Sequence, residues 1–319
     1  MPLEKEVLGM LRREAEGHIS GQLMSRRLGV SRAAIWKSIE ALRQKGFLIG
    51  SSSGLGYRLE GGPKRIVGLD IEVGLGTRTI GRSVVSFHAV PSTIEEAASL
   101  ARQGAPEGTV VVAESQTGGR GRLGRKWSSP SGVGIWTSII LRPPVPPREA
   151  PKLTLLTAVS VAKVLAGSYG IAARIKWPND VVTGGRKICG ALTELVAEQD
   201  AVRYVIASFG LNVNQTPARF PAEVRPIATS MRIEAGRRLD RPEVFRRVLR
   251  ELDDQYVQYK ERGGESVLAQ WRALSCTLGR RVKVQLRESV VEGVARDLDD
   301  DGSLIVEVEG GGLKRVAYG

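Results

Sequence analysis

Leu3, Val7 and Leu11 recur at helical spacing, so the start of the chain predicts an amphipathic helix. Ser20 stands where it can cap a second helix that runs through Leu28 and stops at Gly29. Ser31 can cap a third, in which Ile35, Ile39 and Leu42 share one face and Gly46 lies just past the end. Two strand-like pieces follow, 47–49 and 57–59, around the Ser- and Gly-rich segment 51–56. Helix, helix, turn, helix and glycine-tipped hairpin is the order of a winged helix-turn-helix. Gly61-Gly62-Pro63 then reads as a linker.

From residue 66 to 274 strand-like runs alternate with helical ones. Segments 84–90, 109–114, 134–141, 173–176, 187–196 and 202–213 predict strands. Segments 94–103, 153–166, 242–260 and 266–274 predict helices, and the proline-rich stretch 142–147 a surface loop. Several strands succeed one another without an intervening helix, which argues for a mixed α+β sheet over a doubly wound parallel one. The last 45 residues are nearly all strand signal, at 281–286, 290–297, 303–308 and 313–318, with Asp300-Asp301-Gly302 as one turn. Short, evenly spaced strands of this kind suggest a small β-barrel. The expected architecture is therefore α+β and multidomain: residues 1–62 a winged helix, 63–274 a central domain, 275–319 a barrel.

Composition narrows the chemistry. At 42% apolar and 25% charged, the 319 residues are ordinary for a globular protein. No run approaches the roughly 18 apolar residues of a membrane span, and the first residues lack the order of a secretory signal. Cys189 and Cys276 are far apart and give no disulfide framework, so a cytoplasmic setting is expected. The two histidines, His18 and His88, have no zinc-ligand spacing, and no Ser-His-acid combination is evident. The net charge of +13 points to polyanionic partners: nucleic acid, nucleotide or acidic protein surfaces.

One segment concentrates that charge. Gly118-Gly119-Arg120-Gly121-Arg122-Leu123-Gly124-Arg125-Lys126-Trp127 follows a strand, and residues 118–126 hold four cations, four glycines and no acid. Glycines let backbone N–H groups approach an anion, and guanidinium groups grip phosphate or carboxylate oxygens. Gly119-x-Gly121-x-x-Gly124 matches a dinucleotide fingerprint, but no helix opens at its third glycine, because Trp127-Ser128-Ser129-Pro130 follows. In an extended segment residues 120 and 122 would face the same way, toward one ligand.

The stretch from Glu114 through Gln116, Arg120, Arg122, Arg125 and Trp127 to Pro130 resembles the signature loop of biotin–protein ligases. Lys176-Trp177-Pro178-Asn179-Asp180, Gly185-Arg186-Lys187-Ile188-Cys189-Gly190 with Glu194, and Gly210-Leu211-Asn212-Val213-Asn214 resemble that family's later motifs, in family order. Val30 to Lys37 and Gly54-Leu55-Gly56-Tyr57 resemble the recognition helix and wing of the bifunctional members, which also repress biotin genes, and the C-terminal strands correspond to their SH3-like β-barrel. The resemblance implies that biotin and ATP give biotinoyl-5′-AMP, with Mg²⁺, and that biotin passes to a lysine of a carboxylase's carrier domain. It implies homodimerisation on the adenylate and binding to operator DNA.

By the same resemblance Ser92, Thr93, Gln116, Gly119, Arg120, Gly121, Arg122, Lys187 and Gly190 line the biotin site. Arg122, Arg125, Trp127, Lys176, Asn179, Asp180, Lys187 and Asn212 face ATP or the adenylate. Lys187, Arg122 and Arg120 are the expected catalytic cations, and Asp180 the residue placed to help hold Mg²⁺. Ser92 is equally a helix cap, Trp127 equally a packing residue, and Asn212, in an apolar run, needs a partner that a nucleotide could supply. Ile94 departs from the family's asparagine and removes one polar contact.

Residues 1–65 carry twelve Lys and Arg against six Glu. Ser31, Arg32 and Lys37 lead the helix that would enter a DNA major groove, with Arg32 suited to a guanine edge and Lys37 to phosphate. Three alternatives stay open on the residues alone. These are a head that serves protein contacts instead of DNA, a chain that senses a ligand without ligase activity, and lipoate as the acyl group.

Overall fold

The structure is a computed structural model, and it describes residues 2–14, 17–198, 201–286 and 289–317. The chain divides into two compact units, Met1–Gly76 and Thr77–Gly319.

In the first unit α1 (Leu3–Arg13), α2 (Gly21–Leu28) and α3 (Arg32–Gln44) precede the hairpin of β1 (Leu48–Ser52) and β2 (Gly56–Gly61). The helices start where local chemistry allows. Ser20 Oγ accepts the Leu23 N–H at 3.1 Å and Ser31 Oγ the Ala34 N–H at 3.2 Å. Val7, Leu8, Leu11, Met24, Ile35, Ile39, Leu42 and Phe47 then bury one shared core. Ile19 and Tyr57 exchange both backbone hydrogen bonds, at 2.8 and 2.9 Å, which fixes the hairpin to the helices. A short helix, α4 (Gly68–Glu72), extends this unit past Gly61-Gly62-Pro63. It is held by Arg12 to Asp70 at 2.5 Å and Lys5 to Glu72 at 2.7 Å, pairings invisible to local pattern.

The second unit opens with β3 (Val84–Val90), α5 (Thr93–Arg102), β4 (Val110–Gln116), β5 (Gly134–Leu141) and α6 (Lys152–Tyr169). It continues through β6 (Arg174–Lys176), β7 (Asp180–Thr183), β8 (Arg186–Glu198) and β9 (Ala201–Asn212) to α7 (Met231–Ala235), α8 (Arg241–Arg262) and α9 (Glu265–Leu274). Among the described residues its sheet has seven strands, in the order β3-β4-β5-β9-β8-β7-β6. Only β3 and β4 run parallel, so the sheet is mixed, as the consecutive strands imply. β7 escapes sequence reading because its four residues sit between two turns. The helical span 147–169 is long and apolar enough to cross a membrane, but 78% of its window is buried in this unit's core.

Alternation along β9 sets the two sheet faces. Tyr204 and Ile206 point to α5, where they pack with Ile94, Ala97 and Val111, whereas Phe209 meets Phe245 of α8 edge-on. Gly210 and Asn212 therefore belong to the α5 face. Two buried carboxylates brace the layers. Glu114 and Arg241, each 4% exposed, form a bidentate pair at 3.1 and 2.9 Å. Asp253 accepts the N–H groups of Arg78, Thr79 and Ile80 at 2.6 to 2.9 Å.

The C-terminal strands β10 (Arg281–Gln285), β11 (Val290–Leu298), β12 (Leu304–Glu307) and β13 (Leu313–Val316) form an antiparallel meander. No ladder joins β13 back to β10 among the described residues, so the expected barrel is seen as a four-stranded sheet. Tyr318, expected to end the last strand, lies outside the described residues. Trp177 ties this sheet to the end of β6: its N–H donates to Thr277 Oγ1 at 2.8 Å and its indole to the Gly302 carbonyl at 3.2 Å.

Candidate active site

Strand register brings the separated motifs onto one line. Lys176 pairs with Asp180, Asp180 with Gly190, Gly190 with Gly210, and Gly210 with Trp136. Neighbouring strands lie about 4.8 Å apart, and this row crosses five of the seven strands. The two adjacent glycines leave a trough, and the indole of Trp127 lies across it. A Cβ at Gly190 would come within 3.2 Å of that ring and 3.1 Å of Lys187 Nζ; at Gly210 it would overlap the ring itself. Trp136 meets the same indole edge-on, with centroids 6.4 Å apart. The Trp127 Nε1–H is buried without a partner among the described residues.

Lys187 stands one residue into β8, after the turn at Gly184 and Gly185, as its sequence context implies. Its Nζ lies 2.5 Å from Asp180 Oδ1 and 5.1 Å from the Trp127 ring centre. Its backbone is clamped by a strap: Lys187 N–H donates to the Ile227 carbonyl at 2.7 Å, and Thr229 N–H to the Lys187 carbonyl at 2.9 Å. Asn212 holds the same strap. Its Nδ2 donates to the Thr229 carbonyl at 3.0 Å, and its Oδ1 accepts from Gln215 Nε2 at 2.8 Å. The partner expected from a nucleotide is thus supplied by the protein, because the chain after β9 folds back over the strand end. Asn179 is likewise committed, donating to the Ala191 carbonyl at 2.5 Å and locking the turn between β6 and β7 onto β8. Lys176, at the end of the row, is exposed.

The basic loop is a closed hairpin, not an extended segment. Gln116 N–H donates to the Ser129 carbonyl, Trp127 N–H to Gly119 at 2.9 Å, and Gly121 N–H to Arg125 at 2.7 Å. The chain reverses through a tight turn at Arg122–Gly124, with Leu123 in the left-handed region at φ 55°. Arg120 sits on the ladder, 3.4 Å from Glu95, while Arg122 begins the turn, so strand alternation no longer relates their side chains. Arg125 is exposed at the tip. Gly119 is obligatory: a Cβ there would lie 2.5 Å from the Trp127 carbonyl and 2.8 Å from Ser129 Oγ.

At the loop's base, Gln116 Oε1 accepts from Thr93 N–H at 2.8 Å and Thr93 Oγ1 at 3.1 Å, and its Nε2 donates to Ser129 Oγ at 2.8 Å. Thr93 Oγ1 reaches Ser138 Oγ at 2.9 Å, and Ser208 continues the chain at 2.9 Å. Ser92 caps α5 through the Ile94 N–H. Ile94 itself is 4% exposed and packs in the core with Ala97, Val111 and Ile206.

Burial pushes the Cys189 thiol up, against the opposing pull of Lys187, so it is no nucleophile beside the trough. No group of three His, Cys, Asp or Glu side chains gathers among the described residues, and Asp180 is the carboxylate next to Lys187. The arrangement is cationic and glycine-lined, suited to holding an anion and excluding side-chain nucleophiles. Sequence reading missed the strap at 227–229 and the roles of Ser129, Ser138 and Gly210. Of these only Gly210 carried a signal, a glycine inside an apolar strand, which marks close approach by another group. In the first unit Ser31, Arg32, Trp36 and Lys37 form an exposed face of α3, with Trp36 54% exposed.

Residues 87–214 match the Biotin/lipoate A/B protein ligase family, residues 4–58 an HTH domain and residues 277–319 the Biotin protein ligase C terminal domain. The chain is 39% identical to the bifunctional ligase/repressor BirA of Bacillus subtilis, over 98% of this chain and 96% of that protein. It is 33% identical to BirA of Escherichia coli over 91% and 88%. A biotin protein ligase from Aquifex aeolicus, solved with biotin and ATP, superposes with a TM-score of 0.64 at 31% identity, covering 75% of this chain and 97% of that one. With two relatives above 30% identity along nearly the whole chain, and with the ligase, helix-turn-helix and C-terminal segments in the same order, the chain belongs to the bifunctional biotin protein ligase/repressor family.

Proposed function

We propose that this chain is an ATP-dependent biotin–protein ligase that also acts as a biotinoyl-AMP-dependent repressor of biotin genes. The observation that carries the ligase reading is the row Lys176–Asp180–Gly190–Gly210, with Lys187 and the Trp127-anchored loop set against it.

In the first step a biotin carboxylate oxygen bonds to the α-phosphorus of Mg·ATP and the bond to pyrophosphate breaks. Two anions must meet, so fixed cations lower the barrier. Lys187 is assigned to the carboxylate and α-phosphate, with Arg120 and Arg122 beside it and Arg125 and Lys176 toward the phosphates. Ser92, Thr93, Gln116, Gly119, Gly121 and Gly190 line the biotin end. Trp127 floors the trough, and Asn179 and Asn212 act by holding the strands and strap in place. Mg²⁺ enters with ATP; a single carboxylate, Asp180, together with substrate phosphates suits an ion that keeps much of its water. In the second step a carrier lysine amine attacks the acyl carbon and AMP leaves, so proximity does the work of a side-chain nucleophile. The carrier is a carboxylase's biotin domain, and the use of ATP and a carboxylase carrier sets the reaction in the cytoplasm.

Ser31, Arg32 and Lys37 are assigned to operator DNA, with homodimerisation on adenylate binding bringing two such heads to one site. Incubation with biotin and Mg·ATP is expected to release pyrophosphate and label a biotin carrier domain. Absence of label overturns the ligase reading, and a preference for lipoate redirects it. Lys187→Ala is expected to lose at least a hundredfold in adenylate formation.

A further inference from the structure

A cavity of about 430 Å³ opens in the second unit, where β5 begins and β9 ends. Its wall carries Arg219, Arg232 and Arg238 with Ser131, Asn214 and Thr216, and no acidic side chain. None of the three guanidinium groups has an ion pair or hydrogen bond among the described residues. Two other arginines of this unit do pair with carboxylates, Arg186 with Glu234 at 2.8 Å and Arg241 with Glu114 at 2.9 Å.

The backbone beneath these cations is fixed. Arg232 N–H donates to the Val213 carbonyl at 2.7 Å, and Arg219 N–H to Thr216 at 2.9 Å. The Asn214 amide, 4% exposed, exchanges bonds of 2.8 and 2.9 Å with Leu239, next to Arg238. The three arginines are exposed, and their like charges gather around one open hollow that no carboxylate lines. A bound anion relieves that repulsion, and guanidinium forks match phosphate oxygens in pairs. The hydroxyls of Ser131 and Thr216 add neutral donors. The volume falls in the range of small-molecule sites, roughly 300–1,000 Å³, and exceeds what one phosphate needs.

We infer that this cavity is an oligophosphate-binding site. Asn214 lies two residues beyond the end of β9, and the cavity's lining shares no residue with the trough of Lys187, Gly190, Gly210 and Trp127. Two sources share the chemistry: the pyrophosphate that adenylation releases, and the phosphate tail of a nucleotide. The first source rests on the ligase reading; the binding site does not.

Calorimetric titration of the full chain with inorganic pyrophosphate tests it. Saturable binding is expected, weakening as salt rises and falling roughly tenfold or more per arginine in Arg219→Gln, Arg232→Gln and Arg238→Gln. Thr216→Glu, which sets a carboxylate at the cavity wall, gives the same loss by a different change. Lys187→Ala leaves pyrophosphate binding intact, and the arginine variants retain biotin binding. Competition by a non-hydrolysable ATP but not by AMP assigns the site to the nucleotide tail; competition by neither assigns it to released pyrophosphate. Pyrophosphate binding that is absent, or unaltered by all of the cavity variants, or lost in Lys187→Ala, overturns the site. Biotin-dependent pyrophosphate release, measured on the same preparation, reports on the ligase reading independently.

Discussion

Gly210→Ala isolates the packing of Trp127 from everything else the ligand loop does. In an open strand this change stabilises by about 0.5–1 kcal/mol, because alanine loses less chain entropy than glycine on folding. At Gly210 the new methyl falls within the Trp127 indole, which already packs on Gly190 and Trp136. Overfilling a packed site costs roughly 1–3 kcal/mol. The net expected effect is a loss of about 1–2 kcal/mol. Removing the ring removes the clash, so in a Trp127→Ala background the same substitution is expected to be neutral or stabilising by about 0.5 kcal/mol. The coupling energy of the cycle is then about 2 kcal/mol, within the range for residues in contact. Urea unfolding followed by circular dichroism on the four proteins gives that number. In parallel, adenylate formation is expected to fall with Gly210→Ala, because the displaced indole no longer anchors the hairpin. Equal destabilisation by Gly210→Ala with and without Trp127 would refute the reasoning, since the damage would then not pass through the ring.

Three further outcomes follow from other parts of the structure. Arg241→Ala takes its guanidinium away from the buried Glu114 carboxylate, so unfolding free energy should drop by about 3–5 kcal/mol, whereas replacing both partners by apolar residues should recover much of it; equal losses in the single and double variants contradict the pairing argument. Burial pushes the Glu107 carboxyl up, but the Tyr256 hydroxyl, the Arg142 N–H and Lys260 outweigh it and hold the group below its ordinary value of 4.5. Its stabilising contribution is therefore present above that value and lost as pH falls below it; Glu107→Gln should flatten the acid side of the stability–pH curve and leave its shape unchanged at neutral pH. On DNA selected by the wild-type protein, Arg32→Ala should cost about 1–3 kcal/mol at particular base positions, while Lys37→Ala should weaken all sequences alike and reduce the salt slope by about one; uniform losses for both would remove Arg32 from base reading.

How much of this was legible depended on range. The caps at Ser20 and Ser31 and the strand from Val84 to Val90 stand where local pattern puts them, because hydrogen bonds within a turn and alternation within a strand need no distant partner. The catalytic cation was legible as a motif, and its position at the start of β8 as a glycine turn followed by an apolar run. The bent loop was not: a ladder between Gln116 and Ser129 forces a reversal at Arg122, and that pairing is a tertiary fact written in no single stretch.

By itself, then, the sequence determined the longer helices and most of the strands, which residues carry charge, and which chemistry the loop and its companion motifs can support, while the short elements α4, β7 and α7 escaped it. The tertiary structure alone decided that Lys176, Asp180, Gly190 and Gly210 share one transverse row, and that Trp127 lies in the trough between them. It gave the Asn212 amide its partner in the Thr229 carbonyl and packed Ile94 among the core residues of α5. It also joined Arg241 to Glu114 across 127 residues and gathered three arginines around a hollow. The reason is physical: propensity and capping act over a few residues, whereas register, burial and charge compensation exist only once strands distant in sequence lie about 4.8 Å apart.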